Sequence, residues 1–398
     1  MPPPNPWSTV RGVASAGPRT AAWVVGTARP RSRPSPSTGR PAVQLTPRLT
    51  GNVVLDELVL GAMIGVQPSA TPAQLDAAGD DLRAVASLAA EQGWRDDPLS
   101  YHRDPPTLTT SEVELTSARW LRERFRWLSF ESGFEPRPAE PAADRYAALA
   151  TDGRAHAAVL RHREGDRPWV VCLHGFGTGT PRADFMAFRV SRLHHDLGYD
   201  VALPVLPLHG QRRAPGGPAL VSYDLALSIH GLTQAVWDVR RILSWIRTET
   251  DAPVLLHGVS LGAYTAALVA ALADVDGIVA GVPAVDLPEL FRVHAPRAVR
   301  RRTEQVGLLD TAREAFAVVS PLAFTPRVPR EQRAVYAGMG DRFVPTRQTL
   351  ALWRHWDQPE LRWYPGGHVG FVWSKPAAAF VQARLAAGVD AARVAARG

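Results

Sequence analysis

The sequence feature that most constrains the fold is a serine set between two glycines, where an apolar run meets a helix-forming run. The pentapeptide is Gly258-Val259-Ser260-Leu261-Gly262, with apolar residues 253–256 before it and residues 263–268 after it. Glycine at both flanking positions lets a buried strand and a helix approach each other closely around a tight turn. The pattern predicts a strand–turn–helix unit in which Ser260 projects from the carboxyl edge of a sheet, above a helix N-terminus that favours negative charge.

Two candidate partners for this serine follow later in the chain. A serine hydroxyl becomes a nucleophile when a base accepts its proton and a third group orients that base. Asp341 follows residues 333–340, which are typical of a short buried strand, and His368 lies in a glycine-containing loop after the strand-like residues 361–364. We expect His368 to accept the serine proton, and Asp341 to orient and stabilise its imidazole.

A glycine-rich loop upstream is a candidate for stabilising a developing oxyanion. Residues 169–173 form a continuous apolar run, typical of a strand buried on both faces of a parallel sheet. The loop that follows has the sequence His174-Gly175-Phe176-Gly177. A backbone N–H in such a loop and the N–H of the residue after the nucleophile together bind a tetrahedral intermediate. We expect Phe176 and Leu261 to supply these N–H groups, with Gly177 as the alternative to Phe176.

Taken together, these motifs resemble those of α/β-hydrolase fold serine esterases and lipases of the bacterial type. The resemblance rests on the His174 loop, the Ser260 pentapeptide, Asp341 and His368, and it covers roughly residues 140–398. It implies cleavage of an ester or related acyl bond through an acyl-serine, with no metal and no organic cofactor. It does not identify a substrate, because this fold hosts esterases, lipases, thioesterases, acyltransferases and peptidases.

The segments around these motifs alternate between apolar strands and amphipathic helices. Residues 200–206 are strand-like and follow a predicted helix over 185–197, and residues 232–248 have apolar side chains at helical spacing. Such alternation predicts an α/β fold, with a mostly parallel sheet flanked by helices on both faces. Residues 283–324 interrupt the alternation, and an interruption of this length predicts a helical lid.

The N-terminal region carries the formal charge of the chain. Residues 1–50 contain seven arginines, many prolines and no acidic residue, so we expect a disordered basic tail. Those arginines account for the whole formal excess of +7, so residues 51–398 are formally neutral and predict no nucleic-acid partner. The apolar stretch 58–66 is far shorter than the roughly 20 residues that span a bilayer, so no integral membrane segment is expected. Cys172 is the only cysteine, which fits a reducing compartment and a cytoplasmic location.

Residues 51–140 predict a helical N-terminal extension that leads into the first strands. Helical spacing covers 53–65 and 71–92, and Thr71 begins the second helix with a capping box. The catalytic domain is then expected over residues 141–398. The sequence leaves open whether the extension is a structural brace, a protein contact or a cover over the site.

Other polar residues offer alternative assignments. Asp286 is the alternative triad acid, although an N-cap for the first lid helix is the simpler interpretation. His209 lies in a loop after a strand and precedes the serine in the chain, so we interpret it as a loop residue. The adjacent His194 and His195 point in different directions on a predicted helix and are interpreted as a solvated pair, not as metal ligands.

The sequence therefore predicts a serine hydrolase that cleaves a carboxylic ester, or a thioester, of a small molecule. Within the same fold, the alternatives are an acyltransferase or a peptidase. Outside it, the alternative is a non-catalytic binding protein that keeps the hydrolase scaffold. The sequence leaves the oligomeric state open.

Overall fold

The computed structural model describes residues 46–65, 71–149, 153–305 and 307–397. Its strands are β1 Glu114–Trp120, β2 Glu123–Glu131, β3 Arg154–Leu160, β4 Trp169–Leu173, β5 Asp200–Val205, β6 Val254–Val259, β7 Gly277–Gly281, β8 Arg333–Gly338 and β9 Glu360–Tyr364. Its α-helices are α1 Pro47–Gly65, α2 Pro72–Glu91, α3 Ala143–Leu149, α4 Pro181–Ala187, α5 Leu225–Glu249, α6 Leu261–Leu272, α7 Leu287–His294, α8 Arg297–Gln305, α9 Leu308–Phe316, α10 Thr346–His355 and α11 Lys375–Ala395.

One sheet contains all of these strands, in the order β1-β2-β3-β5-β4-β6-β7-β8-β9. The pairs from β5 through β9 are parallel, and the pairs among β1, β2, β3 and β5 are antiparallel. Every residue of β4, β6 and β7 is buried, as expected for strands covered by helices on both faces. The predicted mostly parallel α/β fold is confirmed.

The register of the sheet brings the loops with the candidate site residues to one edge. Leu173, the last residue of β4, pairs with Gly258 of β6, and Gly338, the last residue of β8, pairs with Tyr364, the last of β9. The loops that follow these strands therefore leave the sheet at the same carboxyl edge. Ligand sites of open parallel sheets form at this edge.

Helices cover both faces of the parallel strands. All residues of α6 are buried, as expected for an apolar helix packed between the sheet and α5. α5 begins at the N-cap Asp224, whose carboxylate accepts the N–H of Leu227 at 3.0 Å. α11 packs against β6, β7 and β9. It lies on the opposite face of the sheet from α6, where its buried residues form a separate apolar core with Val279 and Tyr336.

The N-terminal helices precede the sheet. α1 begins at Pro47, inside the predicted tail, and residues 1–45 lie outside the described residues. α2 begins with the capping box predicted at Thr71, where the side chain accepts the N–H of Gln74 at 3.3 Å. The hairpin of β1 and β2 belongs to the main sheet, so the predicted boundary at residue 141 divides a single sheet.

The predicted helix over 185–197 is wrong as a continuous element. α4 ends at Ala187, Arg189 has a positive φ of 53°, and a short π-helical turn follows over Arg192–Asp196. The break keeps Phe188 buried and lets the Arg189 guanidinium donate to the Val372 carbonyl at 2.9 Å. A tertiary hydrogen bond from a distant loop thus accompanies the interruption of a locally helical pattern.

The segment predicted as a lid is helical. It folds into α7, α8 and α9, and Asp286 is the N-cap of α7 through a 2.8 Å bond from the N–H of Glu289. α9 packs against α2, and Arg302 of α8 forms an exposed ion pair of 2.9 Å with Asp76 of α2. The insertion and the N-terminal extension are therefore in contact with each other.

Candidate active site

The turn at Ser260 has a strained backbone. Ser260 joins β6 to α6 with φ 55° and ψ −116°, outside the regions that non-glycine residues ordinarily occupy. A side chain at Gly258 would overlap the Gly262 backbone, and a side chain at Gly262 would overlap the carbonyl oxygens of Leu173 and His174. The two glycines therefore allow β4, β6 and α6 to meet at this point, as the pentapeptide predicts.

His368 and Asp341 are joined by a short hydrogen bond. His368 Nδ1 donates to Asp341 Oδ2 at 2.7 Å, and both side chains are almost fully buried. The other carboxylate oxygen of Asp341 accepts the backbone N–H groups of Phe343 at 2.9 Å and Val344 at 2.8 Å. These bonds fix the carboxylate, which in turn fixes the tautomer of the imidazole with its proton on Nδ1.

The surroundings of His368 raise its pKa above the ordinary value of 6.5. Burial disfavours the imidazolium and acts to lower the pKa, but the charge and hydrogen bond of Asp341, together with the charge of Asp56, outweigh it. Phe343 stacks on the imidazole with a centroid separation of 4.8 Å. The site therefore stabilises a cationic ring beside carboxylates, the state that a general base reaches after it accepts a proton.

Ser260 and His368 follow strands that end at the same edge of the sheet, but no hydrogen bond joins their side chains. His368 Nε2 has no hydrogen-bond partner within the described residues, and solvent can reach this atom. Ser260 is partly exposed. Hydrogen bonds between a nucleophile and its base are often long before substrate binds, so the missing bond does not argue against the pair. Both groups are also accessible to a substrate.

His174 holds the glycine-rich loop in place. Its Nδ1 donates to the Gly175 carbonyl at 2.8 Å, and its Nε2 accepts the N–H of Leu206 at 3.0 Å. Burial lowers the pKa of His174 to about 3, so the ring is neutral, as these two bonds require. A side chain at Gly175 would lie 3.5 Å from Cβ of Ser260, which places the loop directly beside the serine.

The N–H groups predicted to bind an oxyanion are unpaired within the described part of the chain. Neither Phe176 nor Leu261 donates its backbone N–H to a described carbonyl or side chain. Leu261 is the first residue of α6, where a backbone N–H has no partner inside the helix. Gly177, the alternative donor, has a φ of 76°, which suits glycine at the tip of the turn.

The two other polar candidates have structural partners. Asp286 caps α7 with one oxygen and accepts Arg313 Nε at 3.0 Å and Nη2 at 2.9 Å with the other. His209 is buried, with its Nδ1 donating to the Pro207 carbonyl at 2.9 Å and its ring packed against His174 and Phe176. His209 therefore lies behind the glycine-rich loop.

The interpretation of His194 and His195 as a solvated pair is wrong for His194. His194 is buried, its Nδ1 donates to the Tyr199 carbonyl at 2.9 Å, and its ring lies 4.0 Å from that of His162. Together with Asp200 these two rings could offer ligand atoms to a metal ion, but Asp200 is the first residue of β5, at the edge opposite Ser260. The expected absence of a metal from the candidate active site stays a prediction.

One residue at the site was not predicted from the sequence. Asp56 of α1 is fully buried, and its carboxylate accepts the backbone N–H of His368 at 2.5 Å. An acidic residue on a helix is usually a solvated one, and no local motif links position 56 to position 368. The available signal was its place among mostly apolar residues, Val53 to Leu55 before it and Leu58 to Leu60 after it, since a charged side chain that is buried among apolar ones requires a specific partner.

Comparisons with known proteins give relatives and a fold. No family model matches the chain. Uncharacterized protein MT2702 of Mycobacterium tuberculosis strain CDC 1551 / Oshkosh is 38% identical over 350 residues, which cover 87% of this chain and 84% of that protein. Uncharacterized protein Rv2627c of strain ATCC 25618 / H37Rv is 37% identical over the same shares. Acetyl xylan esterase 1 from Thermoanaerobacterium sp. JW/SL YS485 superposes with a TM-score of 0.50 at 16% identity, over 70% of this chain and 87% of that chain.

The fold is that of the α/β-hydrolases, which confirms the predicted resemblance. The chain itself belongs to the family of the M. tuberculosis proteins MT2702 and Rv2627c. No helix in the described ranges is long and apolar enough to cross a membrane.

Proposed function

We propose that this protein is a serine hydrolase that cleaves a carboxylic ester, or a thioester, of a small molecule through an acyl-serine intermediate. The observation that carries the proposal is the strained turn of Ser260 at the sheet edge where the 2.7 Å pair of His368 and Asp341 also lies. A strained backbone at a serine costs free energy, and such strain is found mainly at functional sites. A buried imidazole beside a carboxylate is the base that such a serine needs.

In the proposed reaction, Ser260 Oγ attacks the acyl carbon while His368 Nε2 accepts the hydroxyl proton. The tetrahedral intermediate collapses as the imidazolium returns a proton to the leaving alcohol or thiol, and an acyl-serine remains. A water molecule then attacks the acyl-serine, with His368 again as the base. The carboxylic acid leaves and the Ser260 hydroxyl is restored. Asp341 stabilises the imidazolium during both steps, consistent with the direction in which it moves the His368 pKa.

The free N–H groups of Phe176 and Leu261 are proposed to bind the oxyanion. A backbone donor of this kind contributes about 3 kcal/mol to transition-state stabilisation. His174 supports the donor at Phe176, because its two hydrogen bonds fix the start of the loop. The helical insertion of α7 to α9 is proposed to act as the lid, and a cytoplasmic location stays a prediction.

A fluorophosphonate probe and a panel of p-nitrophenyl esters of graded acyl length test the proposal. We expect covalent labelling that maps to Ser260, together with hydrolysis of at least one ester. Labelling without ester hydrolysis, but with transfer to an added alcohol or cleavage of an anilide, would instead identify the acyltransferase or the peptidase. A folded protein with neither labelling nor turnover would identify a non-catalytic scaffold and contradict the proposal.

A further inference from the structure

The N-terminal helix α1 places a buried carboxylate against the backbone of the candidate site. Asp56 is fully buried, and its carboxylate accepts three backbone N–H groups: His368 at 2.5 Å, Val369 at 3.2 Å and Arg342 at 3.1 Å. A carboxylate is suited to this place because its two oxygens only accept hydrogen bonds. A side chain at Gly367 would overlap the carboxylate, so the loop is shaped around it.

The three N–H groups belong to two different loops. Arg342 directly follows Asp341 after β8, whereas His368 and Val369 lie in the loop after β9. Asp56 therefore joins the same two loops that the bond between His368 and Asp341 also joins. Without it, the buried N–H of His368 and the part-buried N–H groups of Val369 and Arg342 would lose their acceptor, and a folded protein rarely leaves a buried donor unpaired.

The charged and titratable groups around His368 come from four elements. Asp341 and Asp56 are the two carboxylates, Tyr364 donates its hydroxyl to the Gly367 carbonyl at 2.6 Å, and His294 of α7 donates to the Phe343 carbonyl at 2.7 Å. Burial lowers the pKa of His294, which disfavours a positive charge on this ring. Asp56 is thus the second negative charge that acts on His368.

The charge state of Asp56 depends on its hydrogen bonds. Burial raises the pKa of Asp56, and the N–H groups of His368 and Arg342 oppose that rise. In the ionised form, Asp56 acts with Asp341 to raise the pKa of His368. Removal of this charge therefore lowers the pKa of His368.

We infer that Asp56 is a positioning residue of the hydrolytic site, and that α1 is a required part of that site. The inference rests on the proposed function for the roles of Ser260 and His368. Asp56 fixes the backbone of the His368 loop relative to the Asp341 loop, so that the imidazole keeps its orientation through the reaction. The N-terminal extension, whose role the sequence leaves open, supplies this residue.

The variant Asp56→Asn tests the inference. Asparagine keeps the shape of the side chain but removes the charge and turns an N–H₂ group toward backbone donors. We expect kcat to fall roughly 10- to 100-fold with little change in KM, since misplacement of a catalytic group affects the chemical step. We also expect the acidic limb of the kcat/KM profile to move to lower pH, a shift that a merely structural role would not cause.

The matched control is Glu57→Gln. Glu57 lies on the same helix and accepts Arg342 Nε at 2.6 Å, but it is partly exposed and this bond reaches the Arg342 side chain, not the loop backbone. We expect this variant to keep the wild-type kcat and pH profile. If Asp56→Asn does not fold, Asp56→Ser is used instead, because serine keeps an acceptor oxygen and places no amide group at this buried position.

A readout that needs no turnover separates this inference from the proposed function. The Nδ1 proton of His368 in its bond to Asp341 is expected as a far-downfield NMR signal in protein with ¹⁵N-labelled histidine, assigned by its loss in His368→Gln. We expect Asp56→Asn to shift or broaden this signal and Glu57→Gln to preserve it. A wild-type protein with the signal but without labelling or hydrolysis contradicts the proposed function alone. An unchanged signal, kcat and pH profile in Asp56→Asn would overturn the positioning role.

Discussion

The two halves of the candidate site are held in place in different ways. The turn at Ser260 depends on its own pentapeptide, because the neighbouring backbone leaves no room for a side chain at Gly258 or Gly262. The loop of His368 also contains glycines, but side chains from distant parts of the chain hold it, above all Asp341 and Asp56. The candidate nucleophile is therefore positioned mainly by its local sequence and the candidate base mainly by tertiary contacts, so the two halves should respond differently to substitution.

The largest effect is expected from removal of the nucleophile itself. Ser260→Ala should lower kcat for ester hydrolysis by about 10⁵-fold or more and abolish fluorophosphonate labelling, because loss of a catalytic serine removes the covalent pathway. The melting temperature should not fall. Ser100→Ala, at an exposed serine that bonds only the nearby Asp97 carbonyl, is the control and should retain full activity. A labelled Ser260→Ala protein would place the nucleophile elsewhere.

A smaller loss is expected at the acid, which separates the two candidate acids. Asp341→Asn should lower kcat by about 10⁴-fold, since an amide stabilises the wrong imidazole tautomer. Asp286→Asn should leave kcat unchanged and cost less than about 1 kcal/mol of stability, because asparagine caps a helix as well as aspartate does and the exposed part of the Arg313 pair contributes little. Steady-state kinetics and urea unfolding measure both. The reverse pattern would assign the acid to Asp286.

The pH profile tests the charge around the base. A general base must be neutral to accept a proton, and the pKa of His368 is raised above 6.5. We therefore expect kcat/KM to decline as the pH falls through a value above 6.5, by about tenfold per pH unit once His368 is protonated. An acidic limb centred below pH 6.5 would show that burial outweighs the two carboxylates.

The smallest effect is expected on the helix that carries Asp56. Gly61 lies inside α1, is exposed and has no neighbouring atoms around the place of a side chain. Gly61→Ala should stabilise the protein by about 0.5–1 kcal/mol, because glycine loses more conformational freedom in a helix than alanine. Chemical denaturation measures the gain, and kcat should not change. A loss of activity would show that α1 needs flexibility at this point.

The same difference explains which parts of the molecule the sequence predicted. The strand before Ser260, the glycines around it, the position of Asp341 after a buried strand and that of His368 after the strand-like residues 361–364 are patterns of neighbouring residues, and each leaves a local signal. Asp56 leaves only the weak signal of its apolar neighbours, which does not identify its partners, because these lie 286 and 312 residues away along the chain. The break after Ala187 was missed for a related reason, since the Arg189 bond to Val372 depends on a remote loop.

The long separation between Asp56 and its partners also affects how the protein is made. The ribosome releases Asp56 well before residues 342 and 368, and at about 5–20 residues per second the delay is roughly 15–60 s. Throughout that interval the Asp56 carboxylate stays hydrated, because the two loops that α1 contacts are not yet complete. A nascent chain that stalls before residue 368 therefore cannot assemble the candidate site.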